Sequence, residues 1–428
     1  MAATITTWMS LIQQFLPFFT QPAGAIFTRL TFGWVLCTIR RTVTGMLPFA
    51  DPAGEHAHDA FHRLFPDARW RMAKLWQNLA KILIQTFCRN GSITLALDDT
   101  LFHHSGRKIN GAGWWRDAVR STKTQTVYAW GLNLVVLTLQ IQPPWGGEPL
   151  GLPINMRLHH KNQASLIELA QQMLAEVLQW FPQRRFRVVG DGFYATLAGK
   201  ELPGTIISRL QCNAEIYALP IPPTSKGRGR PRKKGKRLLC PEKMAHYVHA
   251  WQQVKVRERG KIKTRLVYAR KVLWYRVSHQ PVLLVISRDP TGQEKDDFFF
   301  TTEVTMDPVE VMGCFADRWA IEDTFKNTKQ FLGGQEPQTF KGKGPERAAG
   351  LSLWLYAMVW LWYLRQKSNK RYFIVQPWNP LKSRPSFADA IACLRRELWR
   401  ERIKCMFGVS AVHDKKFAFL LKVLAPAA

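Results

Sequence analysis

Phe315, Arg318, Glu322 and Lys329 lie in a segment with neither proline nor glycine from Phe315 to Leu332. At about 100° per residue, a helical period puts all four on one narrow stripe. A carboxylate between two cations can form a solvated i,i+4 pair with Arg318. It can also ligate a metal ion beside a phosphate-binding surface. Two acids upstream favour the second reading. Asp98, next to Asp99, closes the apolar run Ile93 to Leu97, and Asp191 follows Val188-Val189-Gly190 into a turn. Acids at strand ends sit at the edge of a sheet, where active sites gather. Carboxylates are hard oxygen ligands for Mg²⁺ or Mn²⁺, and two bridged ions can clamp the attacking and leaving oxygens of a phosphodiester. Arg318, with its fork, and Lys329, as a point charge, suit flanking phosphates.

The elements that must position these residues divide the chain. Residues 1–90 have helical spacing and basic residues, which suits a small DNA-binding bundle or an ordinary helical cap with a charged face. Residues 91–210 alternate strands with the helical stretch Leu166 to Trp180, as in a mixed α/β sheet. Residues 211–305 are a β-rich insertion, and its loop 225–237 concentrates positive charge. Residues 306–345 return to the sheet with the Glu322 helix, and 346–428 are helical.

The balance of charge agrees with this chemistry. The 428 residues include 61 Lys+Arg against 31 Asp+Glu, a formal +30, which suits a polyanionic partner, nucleic acid before membrane. Seven scattered cysteines without a CxxC exclude a disulfide framework or zinc ribbon and point to a reducing compartment. No secretory signal is expected at the N-terminus. The most apolar stretch, Ala348 to Leu364, is shorter than the ~20 residues a membrane span needs, so it reads as a buried core helix.

Together these residues resemble the DDE transposases of bacterial insertion sequences, in the group with a β-strand insertion and a Tyr-(2)-Arg-(3)-Glu-(6)-Lys signature. Here the signature is Phe315-(2)-Arg318-(3)-Glu322-(6)-Lys329, with Phe where the group has Tyr. Asp98-Asp99-Thr100 matches the first motif and Asp191-Gly192-Phe193-Tyr194 the second. The resemblance reaches over roughly residues 30–400, including Arg40-Arg41-Thr-Val-Thr and His62-Arg63.

It implies an RNase-H-like core and a metal-binding triad of Asp98, Asp191 and Glu322, with Asp99 as the alternative to Asp98. It also implies two Mg²⁺ ions, with Mn²⁺ as a substitute, and cutting and joining of double-stranded DNA at terminal inverted repeats and a target. A homodimer on DNA and a place in the bacterial cytoplasm, at the nucleoid, follow from the same resemblance. Phe315, Arg318, Lys329, Arg40 and Arg41 are expected to meet DNA. So are Arg228, Arg230, Arg232, Lys233 and Lys234. Arg228-Gly229-Arg230-Pro231 has the core of a minor-groove hook, although a flexible phosphate-binding loop or a plain linker fits the same residues. Two rivals stand beside this reading: a retired transposase that only binds DNA, and a metal-dependent nuclease without strand transfer.

Overall fold

The computed structural model describes residues 7–202, 204–220, 232–366 and 377–408, with single positions 373, 375, 420 and 424. Its centre is one ten-stranded sheet. Strands β1 (Ile93–His103), β2 (Gly113–Arg116), β3 (Tyr128–Ile141) and β4 (Leu150–His159) come first. Then follow β5 (Phe186–Gly190), β6 (Thr205–Arg209), β7 (Gln252–Glu258), β8 (Lys261–Val272), β9 (Val282–Arg288) and β10 (Asp297–Thr301). β3 pairs antiparallel with both β1 and β4, while β1–β5 and β5–β6 pair in parallel. The spatial order β4-β3-β1-β5-β6 is that of an RNase-H-like core.

The β-rich stretch expected as an insertion continues this same sheet. Phe299 to Thr301 of β10 pair antiparallel with Ile207 to Arg209 of β6, and β9, β8 and β7 follow outward. The apolar run Phe298–Phe300 suits this position, since it occupies the edge that β6 would otherwise leave open. Arg259 and Gly260, with φ of 49° and 74°, form the two-residue turn between β7 and β8. A Cβ at Gly260 would lie 2.6 Å from the Gly147 carbonyl carbon, so the tip can rest on the β3–β4 loop only with glycine there.

Helices cover the inner part of the sheet. Those of the N-terminal region are α1 (Trp8–Gln13), α2 (Gln21–Leu36), α3 (Val43–Ala50), α4 (His58–Arg63) and α5 (Met72–Phe87). α6 (Leu166–Trp180) and the short α7 (Pro241–His246) follow, then α8 (Pro308–Asp317), α9 (Ala320–Phe331), α10 (Gly344–Arg365) and α11 (Phe387–Phe407). The two ends of the chain share one core. The Phe15 ring meets Trp354 edge-on at 4.8 Å. Buried Arg347 donates to the Phe65 and Trp70 carbonyls, and buried Arg395 to that of Val35. α10 is buried on all sides, and no described helix is long and apolar enough to cross a membrane.

The segment expected as one helix is two. Around Arg318 and Trp319 the amides bond three residues back, Arg318 N to Phe315 O at 3.2 Å and Glu322 N to Trp319 O at 3.0 Å. This tighter turn redirects the axis without a proline or glycine. Packing supplies the reason. Val311 and Met312 of α8 bury against β5–β10 and β7, whereas Ile321, Thr324 and Phe325 of α9 bury against β4 and β1.

Candidate active site

The parallel pairing of β1 with β5 places the two aspartates side by side. Leu97 faces Gly190 as the last pair of that register, so Asp98 and Asp191 are the residues that follow it on the two neighbouring segments. β5 stops there and β1 does not. The sequence suggests a strand ending at Asp98, but β1 runs on to His103 because β3 continues to pair with it, Asp98 opposite Val136 and Asp99 opposite Val135. The acids therefore lie mid-strand, where the neighbouring parallel strand gives out.

Asp191 turns the chain. Its Oδ1 accepts from the Phe193 amide at 3.0 Å, and its carbonyl accepts from the Ser208 hydroxyl at 2.6 Å. The turn aims Tyr194 back into the sheet, where its hydroxyl donates to Asp99 Oδ1 at 3.2 Å. The third acid, Glu322, stands in the first turn of α9, where a carboxylate favours the helix N-terminus. Arg318 joins the strand acid to the helix acid, donating to Asp98 Oδ2 at 2.6 Å and to Glu322 Oε1 at 3.4 Å. Its buried Nε finds no partner among the described residues.

Charge in this cleft is out of balance. Burial, above all, pushes the Asp98 carboxyl up to about 7; Arg318 opposes this, and Asp191 and Asp99 add to it. Burial likewise takes Asp99 up to about 6, with the Tyr194 hydrogen bond opposing. Glu322 is raised as well, again by burial first and against Arg318. Lys329 is pushed down to about 8 by burial, partly offset by Asp117. A cleft of about 980 Å³ holds Asp98, Asp99, Asp191, Arg318, Glu322 and Lys329 on its walls.

Several residues of this cleft carried no sequence signal. Asp117 lies 2.9 Å from His103 Nε2 and follows a short strand with nothing to mark it. Asn133 sits in the apolar run of β3, where a buried amide is the only hint, and helps hold the Asp99 carboxylate. Trp319 is 41% exposed at the rim, with the Arg259 guanidinium 3.8 Å from its ring centre.

The expected DNA contacts divide. Phe315 is half-buried against Phe299 at 4.9 Å, below the guanidinium groups of Arg209 and Arg318. Arg40 is exposed. Arg41 is not, and the expectation that it meets DNA is corrected: it is 4% exposed, and its amide donates to Glu336. Arg232, Lys233 and Lys234 are exposed, with Lys234 4.0 Å from the Tyr217 ring centre. Arg228 and Arg230 lie outside the described residues. Among the described residues, the one group of three metal-type donors gathered within 4.8 Å of one another is Asp51, Glu55 and His56, far along the chain from these acids.

A family model for DDE superfamily endonucleases matches residues 14–281, more than half of the chain, and the chain belongs to that family. The matched span contains Asp98 and Asp191 and ends before Glu322. Among solved structures, the chain is similar to one titled as a cryo-EM structure of the piggyBac transposase synaptic complex with hairpin DNA. That similarity has 10% identity and a TM-score of 0.40, and it covers 95% of this chain and 77% of that one. Nothing further about this chain follows from a likeness of that size. Comparison with curated proteins finds no match.

Proposed function

We propose that this DDE superfamily endonuclease is a transposase, which cuts DNA at the ends of an insertion sequence and transfers the freed 3′-hydroxyl strands to target DNA. The observation that carries the reading is the convergence of Asp98, Asp191 and Glu322 from two strands and a helix, with Arg318 tying the first to the third.

The donor set fits divalent cations. It consists of carboxylate oxygens, and Asp98 and Asp99 are carboxyls that burial leaves short of the stabilisation an ion would give their charged forms. Asp98, Asp191 and Glu322 would hold two Mg²⁺ or Mn²⁺ ions, with Asp99 second to Asp98 because the Asp-x-Thr frame of the first motif falls on Asp98 and Thr100. Ions bound there supply the Lewis acidity that activates water or a 3′-hydroxyl and stabilises the departing oxygen. Arg318 keeps Asp98 and Glu322 in one arrangement. Lys329 holds a flanking phosphate, whose charge would restore the proton affinity that burial lowers. Phe315 supplies the floor under Arg318, in place of a tyrosyl hydroxyl.

The formal +30 supports double-stranded DNA as partner. Joining two element ends calls for a homodimer on DNA, at the bacterial nucleoid. The test is strand transfer: purified protein, short duplexes bearing the candidate ends and a supercoiled plasmid, with Mg²⁺ or EDTA. Metal-dependent joined product, lost in Asp191→Asn, is expected. Cutting without joining would leave a nuclease. Tight binding with no cutting under any divalent metal would leave a retired, binding-only protein.

A further inference from the structure

Beyond β6 the sheet has two faces, and strand alternation sends basic residues to both. In β8, Arg265 and Val267 face α8. Val267 packs with Val256, Val311 and Met312, and Arg265 lines a cavity shared with Asp191 and Arg318. Tyr268 and Arg270 alternate with them and lie on the opposite face, where Tyr268 packs against the other core. On that face the segment 236–250, including α7, stands beside β8 and leaves a groove of about 940 Å³. Lys236, Arg237, Lys243, Tyr247, Tyr268 and Arg270 line it.

The two faces treat their cations differently. On the α8 side Arg209 pairs with Asp297 at 2.8 Å, Lys263 with Glu294 at 2.9 Å and Arg265 with Glu258 at 2.8 Å. No acid lines the opposite groove. Arg237 reaches Glu215 at 3.6 Å, while Lys236, Lys243 and Arg270 make no ion pair among the described residues. Tyr247, 70% exposed, offers a ring edge and a hydroxyl at the lip. Unpaired cations around an open, acid-free groove lower the free energy of a bound phosphate backbone, and releasing its counterions adds to the affinity.

We propose that this groove holds the sugar-phosphate backbone of a second DNA segment, on the face of the sheet opposite the acid cleft. One chain then holds two duplexes at once. This rests on the reading of the cleft as a DNA site.

The experiment uses the full chain. One unlabelled duplex is immobilised and loaded with protein, and capture of a second, fluorescent duplex is measured against salt. The double variant Lys243→Glu, Arg270→Glu should keep cleavage of a single duplex within about twofold. It should lose second-duplex capture by at least ~10-fold, with a salt slope smaller by about 2, one per phosphate contact removed. The milder Lys243→Gln, Arg270→Gln pair, checked by thermal melting, should show the same order of effects. Glu322→Gln, which disables the cleft, should capture the second duplex as the unaltered chain does. Capture unchanged in the double variants would overturn the proposal, including the case where two protomers merely bring one duplex each. A parallel loss of single-duplex binding and cleavage would make the groove an extension of the cleft and overturn it too. A chain that binds one duplex but never a second also ends it. One that binds no duplex ends the underlying DNA reading instead.

Discussion

Two groups of acids in this molecule are built on opposite principles. Asp51, Glu55 and His56, beyond the end of α3, bring their donor atoms within 4.8 Å of one another. Yet Arg29 is already among them, 3.7 Å from Asp51 and hydrogen-bonded to Glu55, and the His56 amide donates to Asp51 at 2.8 Å. Although burial opposes it, these backbone donors and Arg29 hold the Asp51 carboxyl below its ordinary range. Asp98, Asp99, Asp191 and Glu322 are less tightly gathered and have one guanidinium among them. Two of them are driven up to about 7 and 6. Closeness of ligand atoms does not by itself make a site. The difference lies in whether the folded chain supplies the donors that keep a carboxylate charged: Asp51 has them, and the deeply buried Asp98 and Asp99 do not have enough.

The sharpest way to break this comparison is to remove one carboxylate from each group. Glu322→Gln and Asp98→Asn should each lower metal-dependent DNA cutting by at least ~10³-fold, the several kcal/mol that ion-held charge stabilisation supplies. DNA affinity should stay within a few-fold of the unaltered chain. Asp51→Asn should cut at the unaltered rate; a comparable loss there would place chemistry in the wrong group.

Next in size is the response to pH and metal, which should carry opposite signs in the two places. Asp98 binds its proton more tightly folded than unfolded. Its charging therefore removes stability progressively as pH rises from the ordinary 3.8 to about 7. Asp51 is lowered, so its contribution is complete above 3.8 and is lost as pH falls below that value. Without metal, Asp98→Asn should raise the melting temperature at pH 8 and leave it nearly unchanged at pH 4. Asp51→Asn should lower the melting temperature at pH 8. Mg²⁺ at a hundredfold excess over its Kd should stabilise the chain by about 2.7 kcal/mol, an effect absent from Asp98→Asn and intact in Asp51→Asn. Mg²⁺ binding should weaken as pH falls through about 7, where the metal-free Asp98 takes up a proton that competes with the ion.

The smallest effect belongs to Arg29→Ala. Its pair with Glu55 is largely exposed, and Asp51, 3.7 Å away, keeps the His56 amide, so the change should cost about 1 kcal/mol in denaturant unfolding, with cutting untouched.

How much of this was legible in the sequence depends on the range of the interaction. Asp98, Asp191 and Glu322 could be picked out because short apolar runs and a proline-free segment are local signals; parallel pairing sets the first two side by side, and Arg318 links the third to Asp98. The break at Arg318 was not legible, since it arises from two packing surfaces, β7 with β10 and β4 with β1, that no local residue announces. Adjacent Arg40 and Arg41 look alike in sequence; the fold exposes the first and buries the second, whose amide donates to Glu336 from nearly three hundred residues away. The β-rich stretch was recognisable as strands, but its union with the main sheet rests on β10 finding β6, a pairing that periodicity cannot specify.

That break between α8 and α9 also has a mechanical meaning. α8 rides on the outer strands and α9 on the inner ones, so the guanidinium of Arg318 and the carboxylate of Glu322 sit on either side of an elbow. The same guanidinium is also bonded to Asp98 of the inner sheet, so a single side chain at the joint ties α8, α9 and β1 together.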